Sequence, residues 1–206
     1  EYEKAEVPLT EAEIQACIEY CEAHPGTSLE YMLRRAYNQK QEGSCVGNAT
    51  TQGVEEVGYK QIGDRMPELS AISLYKQIGR SASSGAMVSD AMVAIEETGI
   101  LPLDTPANRQ RFGNHVMPAT GFHTPWPQDW KTTAALFRGV EFLTIRSVEA
   151  LFTALVKGHP VVVGREGHSI LYLRPLRKNG RRATAVENAE AARKAIKENR
   201  VDLIIL

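Results

Sequence analysis

The chain has 206 residues, 43% of them hydrophobic, and a formal net charge of −1. That is enough apolar surface for one large domain or two small lobes, and the charge balance offers no basic face for nucleic acid. No apolar run approaches the ~20 residues that span a bilayer, and the 3 cysteines have no spacing of a disulfide framework or a zinc site.

Thr10 followed by Glu13 is a capping-box pattern. It predicts a helix running to about Ala23, with Ile14, Cys17, Ile18 and Cys21 along one face. On that helix Cys17 and Cys21 are spaced to pack rather than to bridge. Pro25-Gly26 ends it, and a second short helix is expected over residues 29–37.

Residues 38–50 read NQKQEGSCVGNAT. Cys45 follows the turn Gly43-Ser44 and opens an expected helix over 45–61, whose Val46, Ala49, Gly53 and Val57 recur at helical spacing. A thiol at a helix start faces unpaired backbone N–H groups that favour negative charge. Gln39, six positions upstream, carries an amide able to donate to an oxyanion. One short segment therefore offers a nucleophile and half of an oxyanion hole. A lone cysteine more often packs as a small buried side chain; the Gln-x5-Cys spacing with Gly-Ser attached favours the chemical reading. Asn48-Ala49-Thr50 matches a glycosylation sequon, but inside the helix it reads as chance.

These residues resemble the papain family of cysteine peptidases. That family has Gly-Ser before its Cys and its oxyanion-hole Gln six positions earlier, and Asn38 fits the residue often found before that Gln. The form QEGSCVGNA is more similar to bacterial and phage members than to lysosomal ones. Two departures stand out: Glu42 occupies a position where many members carry a disulfide cysteine, and Val46 one where many carry a tryptophan. Neither removes a group that the reaction needs. The resemblance implies an α+β, two-lobed fold, with the cleft between a helical lobe (1–110) and a β-rich lobe (111–206). It spans residues 34–188, and leaves the first helix and the last helix-strand pair outside.

Further along, helices are expected over 70–78 and 89–98, the second closed by Gly99. Between them, Ser84-Gly85-Ala86-Met87 matches the family's glycine-containing cleft loop. Gly85 could expose its backbone to an extended peptide, or serve only as a turn before the next helix. Residues 101–130, rich in Pro, Gly and Asn, read as a long irregular crossover. Strands are expected at 140–145, 161–163, 168–173, 183–186 and 201–206, and helices at 148–157 and 189–199, with a hairpin signal at Asn179-Gly180.

Five histidines are present. His168 heads a strand in PVVVGREGHSILYL, and the helix, Gly-x-Pro turn, Val-rich strand and His-headed strand follow the order of the family's catalytic histidine. His159, in the turn before Pro160, is the competing base; His24, His115 and His123 have no motif support. A third polar group usually orients such an imidazole. The resemblance assigns this role to Asn188. A two-residue turn at 179–180 would set Asn188 opposite Leu171, on the other face from His168; a three-residue loop would set it opposite Tyr172, on the same face, and Pro175 makes a bulge credible. Glu187 is the alternative orienter. Glu166, two positions before His168, stands where the family lines its pocket for the second substrate side chain; a carboxylate there would favour a basic side chain, or Glu166 turns outward to solvent or pairs with Arg165 or Arg174.

The sequence therefore points to a cysteine endopeptidase acting on protein or peptide substrates. Cys45 is its nucleophile, His168 its base, Asn188 the orienter and Gln39 the oxyanion donor, with Gly85 and Glu166 at the substrate. No metal or cofactor is called for, nor a nucleic-acid or membrane partner. Without a leader pattern or disulfide framework, the expected location is intracellular or within a viral particle. Two other readings remain open. One is a cell-wall peptide hydrolase of the Cys-His type, which lacks the upstream Gln; the other is an idle peptidase-like module kept for assembly, as in a phage particle.

Overall fold

The computed structural model describes residues 9–23, 35–138, 142–145, 150, 153–154, 159–163 and 203–205. The chain divides into two compact units, one of residues 1–32 with 142–205, the other of residues 33–141 with 206. Cys45 and the turn before it lie in the second.

That unit is built on helix α2, Cys45–Ile62. Every residue from Val46 to Glu56 is buried, so over this stretch the helix is enclosed all round rather than along one stripe, while its last turn, residues 60–62, is exposed. It packs on α3, Ala71–Ile78, through a close backbone approach. A Cβ on Gly47 would stand 2.9 Å from the Ala71 carbonyl oxygen and 2.9 Å from Tyr75 Cβ, so only glycine fits. Helix α4, Val88–Glu97, buries Val88, Ala91, Met92 and Ile95 against the same core.

Ser70 caps α3, accepting from the Ser73 N–H. Its own hydroxyl donates to the Pro118 carbonyl at 2.6 Å, and its N–H donates to the Leu101 carbonyl at 2.8 Å. These bonds draw the 101–118 segment onto the start of α3. Bridges Leu69 to Pro102 and Leu103 to Met117 continue the attachment.

The expected irregular crossover thus contains order that composition concealed. Helix α5, Pro106–Phe112, lies within it, with Thr105 as N-cap and proline in its first turn. Helix α6, Trp130–Ala134, and a single 3₁₀ turn, Ala135–Phe137, follow. Ile72, Tyr75, Leu101, Met117 and Ala134 form one core cluster, against which Phe122, Trp126 and Trp130 pack. The helix expected over 29–37 does not extend to its end, because residues 35–39 are irregular; residues 29–34 lie outside the described residues.

In the other unit, α1, Glu11–Ala23, begins with the expected capping box. The Thr10 N–H donates to Glu13 Oε2 at 2.8 Å, and the Glu13 N–H to Thr10 Oγ1 at 3.4 Å. Ile14, Cys17 and Ile18 are half-buried. Among the described residues three short strands, β1 (Leu143–Ile145), β2 (Val161–Val163) and β3 (Leu203–Ile205), pair antiparallel in the order β1-β3-β2. The register pairs Leu143 and Val161 with Ile205 from either side. The last strand of the chain is therefore central, as its apolar run LII suits. The expected elements at 168–173, 183–186 and 189–199 lie outside the described residues.

Two carboxylates are buried on α2. Glu55 accepts from the Leu69 N–H and pairs with Arg35 at 3.3 Å. Burial raises its pKa, while the Leu69 N–H and Arg35 oppose the rise. For Glu56, burial and then the Glu55 charge push the carboxyl from its ordinary 4.5 to about 7. The folded chain therefore holds this proton more tightly than the unfolded one. The Glu56 contribution to stability is greatest below pH 4.5 and declines as pH rises through 7. A shift of this size corresponds to about 3 kcal/mol. Glu56→Gln should remove the decline. In urea unfolding the variant should gain ~1–3 kcal/mol over the parent at pH 8 and little at pH 4.5; an equal difference at both pH values would show that Glu56 is not the source.

Candidate active site

The segment that delivers Cys45 is a tight turn followed by a helix start. The Glu42 N–H donates to the Gln39 carbonyl at 3.1 Å, closing the turn, and Lys40 takes a left-handed φ of 53° within it. Asn38 supports that turn by accepting from the Lys40 N–H at 2.9 Å. The Gln39 side-chain Nε2 donates to the Glu42 carbonyl at 3.0 Å. This engages one of the two amide hydrogens and fixes the orientation of the group, leaving the second hydrogen for another acceptor.

Cys45 is the first residue of α2, is partly exposed, and is a free thiol. Ser44 precedes it as N-cap, but its hydroxyl does not cap the helix. It accepts instead from Asn48 Nδ2 at 3.0 Å, while the same amide donates to the Ser44 carbonyl at 2.8 Å. Asn48 is thus buried and used within the fold, in keeping with its sequon being chance. The first turn of α2 carries no acidic residue. Its N–H groups therefore present their partial positive charge, at the end where the sulfur stands, without a side chain that neutralises it.

Gly43 fixes the approach to this point. Its N–H donates to the Ala82 carbonyl at 2.7 Å, and a Cβ there would meet the Gly85 nitrogen and the Ser83 carbonyl carbon at 2.9 Å each. The 81–85 loop thus lies directly against the turn before Cys45, which brings Gly85 beside the motif. Gly85 itself has a φ of 69° and open space where a side chain would stand. The loop is held from below: buried Tyr75 donates its hydroxyl to the Ser81 carbonyl at 2.7 Å, and Ser84 Oγ accepts from the Arg80 and Ser81 N–H groups.

A second loop also meets the turn. The Glu42 carboxylate accepts from the Gly121 and Phe122 N–H groups at 3.0 and 2.8 Å. Lys76, on α3, donates to the Phe122 and Thr124 carbonyls at 2.6 and 2.7 Å. Its ammonium also lies 5.2 Å from the Trp126 ring, which stacks on Trp130 at 3.9 Å, and partial burial lowers its pKa. The sequence marked Glu42 only as a departure and gave no role to Tyr75 or Lys76. The partners of Glu42 and Lys76 lie 46 to 80 residues along the chain, so no local signal exposes them.

The structure therefore brings together Gln39, Glu42, Gly43, Cys45 and Gly85. His168, Asn188, Glu187 and Glu166 lie outside the described residues. His159 is half-buried in the other unit, its N–H donating to the Ala154 carbonyl at 2.9 Å. Among the described residues no group of three or more His, Cys, Asp or Glu side chains is placed to hold a metal ion, and no helix is long and apolar enough to cross a membrane.

No protein-family model matches the sequence, and a search of curated proteins finds no match. Solved structures do match. Xylellain, a cysteine protease from Xylella fastidiosa, superposes with a TM-score of 0.53 at 19% identity, over 80% of this chain and 63% of that one. The digestive procathepsin L 3 of Tenebrio molitor larval midgut superposes with a TM-score of 0.51 at 17% identity, over 68% of this chain and 44% of that one. The chain spans less than two thirds of the length of either. At these identities the likeness is one of fold, and that fold is the papain-like fold of cysteine proteases.

Proposed function

We propose that the chain is a cysteine peptidase in which the Cys45 thiolate attacks a peptide carbonyl. The observation that carries this reading is the helix start: a partly exposed free thiol at an uncapped N-terminus, with a Gln amide oriented in the turn before it. The papain-like fold supports it.

In the proposed reaction the sulfur adds to the carbonyl carbon, and the oxyanion forms opposite the Cys45 N–H and the free hydrogen of the Gln39 amide. His168 takes the thiol proton and gives it to the leaving amine as the C–N bond breaks. Water then adds to the thioester, with the imidazole accepting its proton, and releases the acid and the thiol. Asn188 is proposed to orient His168, with Glu187 as the alternative. Gly85 is proposed to offer its backbone to the substrate, and Glu166 to favour a basic side chain in the second pocket. Gln39 favours this reading over a cell-wall peptide hydrolase, and the presence of all the required residue types favours it over an idle module.

Thiol chemistry tests the nucleophile. Peptide mapping after brief exposure to an active-site-directed electrophile should find Cys45 modified at least about tenfold faster than Cys17 or Cys21. Cys45→Ala should abolish hydrolysis, and Cys17→Ala should not. Equal labelling of the three thiols would remove the basis for an activated Cys45.

The base is tested by exchange of histidines. His168→Ala should lower kcat by at least about 10³-fold, as loss of a general base does, while His159→Ala stays within about threefold of the parent. The reverse ranking would move the role to His159.

The turn is tested by its size. Gly43→Ala forces a methyl into the backbone of the 81–85 loop, and should cost about 1–3 kcal/mol of stability. It should also reduce kcat/KM in the fraction that remains folded. A variant with the parent's stability and turnover would show that the two loops do not need this contact.

A further inference from the structure

We infer that Glu42 is a positioning residue for Cys45 and Gln39, a role that rests on the peptidase reading and deepens it. Its carboxylate clamps a remote loop onto the catalytic turn, while its backbone holds the oxyanion amide. Both ends of this one residue are engaged. The carbonyl accepts from Gln39 Nε2 at 3.0 Å, and the N–H closes the turn on the Gln39 carbonyl at 3.1 Å. Oε1 accepts from the Phe122 N–H at 2.8 Å, and both carboxylate oxygens face the Gly121 N–H, at 3.0 and 3.2 Å.

Two consecutive backbone donors converging on one carboxylate make a charge-assisted pair, stronger and more directional than neutral hydrogen bonds. The partners are 79 and 80 residues away in sequence, so this is a tertiary tie. The far side of the same loop is fixed by Lys76 on its Phe122 and Thr124 carbonyls. Phe122 meets the Tyr75 ring edge-on at 5.4 Å, and Tyr75 holds the Ser81 carbonyl of the loop on the other flank. The turn before Cys45 is thereby held by two loops, 81–85 and 121–124, and among the described residues Glu42 is the side chain of the turn that hydrogen-bonds the second. Oε1 alone reaches both N–H groups, at 3.0 and 2.8 Å, so Gln keeps an acceptor of the right length without the charge, and Ala keeps none.

The test uses the full chain with Glu42→Ala, Glu42→Gln and Gly121→Ala. The last acts from the loop side, since Gly121 has a φ of 112° and an added Cβ would stand 2.7 Å from Thr124 Oγ1. Three readouts are taken on folded protein: amide hydrogen exchange at Gly121 and Phe122, the rate of Cys45 alkylation by iodoacetamide, and kcat and KM on a peptide substrate. In Glu42→Ala and Gly121→Ala, exchange at the two amides should accelerate at least about tenfold. Alkylation of Cys45 should change by at least about threefold, and kcat should fall at least about tenfold with KM within about threefold. Glu42→Gln should recover part of the loss. If Glu42→Ala does not fold, Glu42→Gln and Gly121→Ala carry the same expectations at intermediate and full size. Faster exchange with unchanged alkylation and kcat would overturn the positioning role, and unchanged exchange in all variants would overturn the clamp. A parent chain that cleaves no peptide sinks the peptidase reading by itself, because exchange and alkylation still decide whether Glu42 positions Cys45.

Discussion

The contact on which the site depends is the backbone approach of α2 to α3 at Gly47 and Tyr75. With no side chain at Gly47, the two helices close to a distance where a Cβ would stand 2.9 Å from the Ala71 oxygen. That fixes the head of α2, two residues earlier, relative to α3. Tyr75 then transmits the position outward. Its hydroxyl holds the Ser81 carbonyl, its ring receives the edge of Phe122, and Gly79 fits against its ring carbons. The loops on both flanks of the Cys45 turn are thus referenced to one fully buried side chain. Close packing of this kind leaves little room for compensation, so an error at Gly47 would propagate to the thiol.

Polar groups in the interior do related work at a cost. Glu55 ties Arg35 and the Leu69 N–H together on α2, and Arg35 also donates to the Leu69 carbonyl at 2.6 Å. The guanidinium lies 4.1 Å over the Tyr37 ring. Backbone entering the site four residues before Gln39 is therefore anchored to the same helix that carries Cys45. Glu56 adds a second buried carboxylate to this neighbourhood, and burial, then the Glu55 charge, raises its pKa. Breaking a buried ion pair leaves an uncompensated charge, which makes Arg35 a structural support for a segment whose chemistry lies elsewhere.

What the sequence revealed was local. The Thr10–Glu13 box and the start of α2 at Cys45 involve residues within one or two turns of each other, and each is where the pattern put it. Helix α5 was hidden by the proline-rich composition around it, although Thr105-Pro106 is itself a helix-start signal. The burial of Glu55 and Glu56 contradicts any one-sided pattern for α2, because a central helix is enclosed by elements far away in sequence. For the same reason Gly85 could be placed beside Gly43, and Glu42 given partners, only in three dimensions. The position of β3 between β1 and β2 is likewise a matter of long-range pairing. The thiol, the amide and their spacing are written in one short run, whereas the loops that hold them are not.

The central claim is that Cys45 is a nucleophile that carries the acyl group of a cleaved substrate. Acid quenching during turnover of an activated peptide ester, followed by intact-mass and peptide-mapping analysis, measures this directly. The account predicts a transient mass increase equal to the acyl group, located on the peptide containing Cys45 and lost when turnover ends. Hydrolysis that proceeds with no acylated Cys45, or with the acyl group on another residue, would contradict it.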